Sequence, residues 1–112
     1  MSLAAAPFLL LFLAATLEAG GDALVRLGLH GGSPAARIGF LAAGAAVLFA
    51  YGLAVNLPAW NFGRLLGVYV TLFFLVAQLI NLLVFGMKPS LPILVGGVLI
   101  IAGGLVISLW RA

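Results

Sequence analysis

The chain has no cysteine, and only two of its 112 residues are acidic. Charged residues make up 6% of it. Each shortage removes a class of protein. Without cysteine there is no disulfide scaffold. A soluble domain carries roughly 25% charged residues, so this chain lacks the polar side chains to cover a water-facing surface. That excludes a soluble globular enzyme, a nucleic-acid binder and a disordered tail. The net charge of +3 comes from five basic residues against two acids. They are scattered, so they form neither a basic stripe nor a polybasic lipid-binding run. No His/Cys/carboxylate cluster, phosphate loop or nucleophile–base pair is visible. The expectation is a protein that is not an enzyme and that uses no metal or cofactor.

What the chain has in abundance is hydrocarbon. Hydrophobic residues make up 66% of it, and its mean hydropathy is +1.39. It reads as an integral membrane protein. A spanning helix needs about 20 mostly apolar residues. Four such runs are present: Leu3 to Leu27, Arg37 to Leu57, Gly63 to Phe85, and Leu91 to Trp110. They are separated by turn-forming residues: His30-Gly31-Gly32-Ser33-Pro34, Asn56-Leu57-Pro58-Ala59-Trp60-Asn61 and Gly86-Met87-Lys88-Pro89-Ser90. The runs do not alternate as barrel strands would, and backbone in lipid must satisfy its own hydrogen bonds. The expected fold is therefore all-α, one transmembrane domain over residues 1–112, with four helices in a bundle. No basic region precedes Pro7, so a cleaved signal peptide is not expected. Four helices of about 10 Å diameter pack solidly, so a transport pathway would need an oligomer.

Four spans place both termini on one side with the middle loop. Arg64 and Arg111 flank that side; Arg26, Arg37 and Lys88 flank the other. Orientation normally follows a clear Lys/Arg excess on the cytoplasmic side. Here there is almost none. A fixed topology with weak bias and a dual topology with antiparallel pairing are both compatible with this tally.

Glu18 and Asp22 are the two acids, and both fall in the first span. An intramembrane carboxylate is costly and is a functional-site hypothesis by default. At four-residue spacing the two share a helix face, and Arg26 continues it. Asp22 is expected to form a structural ion pair with Arg26, with a weaker role in binding. Glu18 lies near mid-span, and no Lys, Arg or His lies deep in any other span. Hydrocarbon disfavours charge, so an acid there readily takes up a proton. When ionised it could hold a cation.

The other spans carry small and polar residues. In the fourth, Gly96 and Gly103 share a face, as do Gly97 and Gly104. Small residues let membrane helices approach closely, so a helix contact is expected there, within or between subunits. The second span holds Gly39, Ala42, Ala43, Gly44, Ala45, Ala46 and Ala50, which should pack against the first. In the third, Thr71, Gln78 and Asn81 cluster on one face, with Tyr69 roughly opposite. His30 reads as a solvated loop residue. Trp60, Trp110 and Arg111 read as interfacial anchors.

Two segments resemble the small multidrug resistance superfamily of four-helix transporters. LEAGGDALVRLG matches that family's membrane Glu, a Gly three residues on and a basic residue eight on: Glu18, Gly21 and Arg26. VFGMKPSLPILVGGVLIIAGGLVISL is similar to its third loop and fourth helix, with paired glycines at Gly96 and Gly103. The resemblance implies that Glu18 is a shared proton and substrate site. It also implies a dimer interface at Gly96 and Gly103, and an antiparallel homodimer of dual topology. Tyr69 stands where typical exporters carry a Trp, which makes it a candidate substrate contact. There is no matching third-helix glycine pair, no second-helix Ser near the Glu, and Asp22 is an addition. PAWNFGRLLGVY more closely resembles a little-characterised branch of the superfamily. The implied activity is proton-coupled export of small organic or hydrophobic cations across the inner (plasma) membrane. The alternatives are a small flippase-like subunit handling a lipid-linked substrate, against which Glu18 argues, and a non-transporting membrane assembly protein. The partners implied are a small cation, protons, lipid and a second copy.

Overall fold

A computed structural model describes residues 6–110. It is all-helical: α1 is Ala6–Leu29, α2 Pro34–Val55, α3 Phe62–Leu83 and α4 Leu91–Leu109. All four are long and apolar enough to cross a membrane, as expected of a multi-pass membrane protein. The helix limits fall within a few residues of those expected. The starts of the first span (residues 3–5) and Arg111 lie outside the described residues.

The turn residues end the helices for identifiable reasons. Ser33 caps α2, accepting the Ala36 N–H at 3.1 Å, with Pro34 at the helix start where its missing N–H costs nothing. Asn61 caps α3 in the same way, accepting from the Arg64 N–H at 3.2 Å. Such caps contribute about 1 kcal/mol each. At the other end of α3, Gly86 takes the left-handed conformation, φ +66°. The Met87 N–H then reaches back to the Asn81 carbonyl at 3.1 Å, closing the helix as a glycine turn does.

Packing differs from the expected solid bundle. α1 packs on α2 and α3, and α4 packs on α3 alone, so the order in space is α2–α1–α3–α4. Glycine placement explains the row. α1 offers Gly21 to Leu48 and Gly28 to Leu41 of α2, while α2 offers Gly44 to Val25. α3 offers Gly67 to Ile107, and α4 offers Gly97 to Phe74 and Gly104 to Thr71. These close approaches bind helices in two pairs. α1 and α3 then join the pairs through a small core that includes Leu11, Ala14, Ala15, Ala19, Leu65, Val68 and Val76.

The second span packs on the first, as its composition suggested. Gly44 alone of its seven small residues named above is buried there; the other six are exposed. On α4 the two glycine stripes separate. Gly97 and Gly104 are buried in the α3 seam. Gly96 and Gly103 have nothing within 4 Å of where a Cβ would stand. Trp60 has two side-chain neighbours. Phe8 meets it edge-on at 5.3 Å, and the Arg64 guanidinium lies 4.9 Å from its ring centre. Trp110 is exposed.

Candidate functional site

Glu18 sits midway along α1 on the side turned to α3. Its neighbours on that face are short: Ala14, Ala15 and Ala19 are all buried. They let α3 come close enough for a phenol to reach the acid. Tyr69, 4% exposed, donates its hydroxyl to Glu18 Oε1 at 2.6 Å. Two candidate residues far apart in the chain thus meet. The contact gives an acid in apolar surroundings one polar partner and fixes its direction. No basic side chain pairs with Glu18 among the described residues.

Tyr69 is itself held in an aromatic row. The Tyr51 ring of α2 lies 5.7 Å away, tilted by 30°. The Phe73 ring, one turn along α3, lies 6.1 Å away, tilted by 31°. Tyr51 escaped notice in the sequence because it stands among small residues and carries no charge. Its signal was spacing. Gly44, Leu48 and Tyr51 fall on one helical face, and Gly44 and Leu48 both meet α1.

Asp22, one turn from Glu18, occupies a different setting. It is exposed and lines a groove of about 380 Å³ between α1 and α3, together with Arg26, Gln78 and Asn81. The expected Asp22–Arg26 ion pair does not form among the described residues. The Arg26 guanidinium instead lies 5.9 Å from the centre of the Phe85 ring. Arg26 is in the last turn of α1, where its long chain can turn towards the membrane edge and leave Asp22 behind. The polar face of α3 also divides. Gln78 and Asn81 serve the groove, whereas the Thr71 hydroxyl donates to the Ile100 carbonyl of α4 at 3.3 Å. Gly96 and Gly103 lie outside the α3–α4 seam and take no part in this site.

Chemically, a carboxyl group with one phenol donor can exchange a proton for a cation. The donated O–H stabilises negative charge on Oε1, which is the form a cation binds. Tyr69→Phe should therefore weaken cation binding at fixed pH by about tenfold, the value of a hydrogen bond to a charged group. Titration calorimetry checks this, with circular dichroism expected to show unchanged helix content. Equal affinity in the variant would mean that the phenol only packs.

Compared with protein-family models, with curated proteins and with solved structures, the chain matches none.

Proposed function

We propose that the chain is a proton-coupled exporter of small organic cations, working as an antiparallel homodimer in the inner (plasma) membrane. It is not an enzyme in this reading, and it belongs by resemblance with the small multidrug resistance transporters. The observation that carries the reading is the Glu18–Tyr69 contact: a mid-helix acid, oriented by a neutral donor and free of any basic partner among the described residues. An acid locked in an ion pair would be a structural element. An acid held only by a phenol keeps its proton exchangeable. Proton and cation would compete for Glu18, and alternating access would change the side to which it opens.

The second copy follows from size and surface. Four helices in an open row enclose no pathway. α4 is the least buried helix, and its Gly96–Gly103 face is open to close approach. Two copies meeting there could enclose a cavity containing both Glu18 carboxyls.

Purified protein in liposomes tests the reading. With the interior acidic, a labelled quaternary ammonium outside should accumulate inside as protons leave. Collapse of the pH gradient should stop it. Uptake that ignores the gradient would end the proton-coupled reading.

Topology gives a second test. In the sequence, Arg64 and Arg111 flank one side, and Arg26, Arg37 and Lys88 flank the other. That near balance predicts insertion in both directions. Reporters fused after Ala112 should give both cytoplasmic and external signals, and two added Lys on one side should fix the orientation. A one-sided pattern in the unmodified protein would refute dual topology.

A further inference from the structure

The groove between α1 and α3 has a charge order that Glu18 and Tyr69 do not use. It holds one carboxylate, Asp22, and one guanidinium, Arg26, not paired with each other among the described residues. Two carboxamides, Gln78 and Asn81, face it, and so do the rings of Phe73 and Phe85. Asp22 and Arg26 are one turn apart on α1, a rise of about 6 Å. Opposite charges not paired with each other, in a groove with neutral hydrogen-bonding groups, complement a ligand that carries both signs. The Phe73 side chain adds aromatic surface that accepts an ammonium, while the Phe85 ring faces the Arg26 guanidinium.

We infer that this groove is a binding subsite for small zwitterions, entered ammonium end first. Arg26 lies nearer the Leu29 end of α1, and Asp22 lies deeper. An anionic group is therefore met at the mouth and an ammonium further in. Arg26 also repels a ligand that is only cationic, so the groove favours amines that carry an acid group. The same order argues against an amine-bearing phospholipid of the adjacent leaflet. Such a lipid carries its phosphate deeper than its ammonium, the reverse of the groove. The groove is a subsite beside the Glu18 cation site; its bearing on cargo rests on the transport reading, and as a binding site it stands apart from it.

The test uses two probes that differ in one charge, β-alanine and β-alaninamide, titrated calorimetrically into the purified full chain in uncharged detergent. β-Alanine should bind about tenfold more tightly, as one charge-assisted hydrogen bond implies. Arg26→Gln should erase the preference, and Arg26→Lys should keep most of it. Asp22→Asn should weaken both probes. Equal affinities in the unmodified protein, or a preference that survives Arg26→Gln, would overturn the proposal. Repeating the titration in bilayers with and without phosphatidylethanolamine separates the two sources of such chemistry. Loss of β-alanine binding only when that lipid is present would make the groove a lipid headgroup site and overturn the proposal too. Glu18→Gln should keep the β-alanine preference while losing transport, so failure of the transport reading and failure of the subsite give different results.

Discussion

Glu18→Gln is expected to abolish pH-driven cation movement while leaving a folded protein in the membrane. The substitution is nearly isosteric and keeps an oxygen that can accept from Tyr69, so the α1–α3 contact can persist. What it removes is charge and titration together. Losing one partner of a desolvated charge pair costs about 2–5 kcal/mol, roughly 30-fold or more in affinity. Cation binding should fall by at least that factor, and coupling to protons should vanish outright. Glu18→Asp retains the titrating group on a shorter arm and should keep coupling with a displaced pH midpoint. Asp22→Asn should harm pH coupling less, because Asp22 lies in the open groove and not at the phenol. A Glu18→Gln protein that transports normally would move the coupling site elsewhere, with Asp22 the first candidate.

Two neighbouring glycines of α4 should respond to the same substitution in opposite ways. At Gly104 a Cβ would run into the Thr71 side chain of α3. Gly104→Val should therefore force α3 and α4 apart and break the Thr71–Ile100 bond. Overpacking of this kind costs about 1–3 kcal/mol, and it should appear as a lowered thermal midpoint in detergent. At Gly103 a Cβ meets open space. Gly103→Val should leave the midpoint alone. If Gly103 faces a second copy, the same change should reduce crosslinking between copies. Because the chain has no cysteine, Leu99→Cys supplies a single reactive thiol on α4's exposed surface for that measurement. Unchanged crosslinking in Gly103→Val would show that this face meets lipid and not another copy.

The contrast between these glycines shows what could be read from the chain and what could not. Hydrophobic runs and their turn residues placed all four helices, because length and apolar content decide a spanning helix and Gly, Pro and Asn decide its ends. Heptad spacing showed that α4 carries two glycine stripes. It could not show that Gly97 and Gly104 face α3, since that depends on the helix's rotation against its neighbour. The row of helices was hidden for the same reason. Glu18 was legible as an acid without company at its depth. Its contact with Tyr69 was hinted at only by resemblance, and nothing in the spacing could place a hydroxyl at the carboxyl. Spacing alone allowed the expected Asp22–Arg26 pair, and side-chain direction decides it. Four-residue separation permits a pair, but a flexible Arg in the last turn had an aromatic ring within reach.

The most direct test of the account is proton release on cation binding. A quaternary ammonium is added to purified protein in unbuffered solution at a series of starting pH values. The unmodified protein should acidify the solution as the cation displaces a proton, and binding should strengthen as pH rises. Glu18→Gln should release none. Cation binding without proton release, or equal release from Glu18→Gln, would contradict the claim that proton and cation compete for this carboxyl.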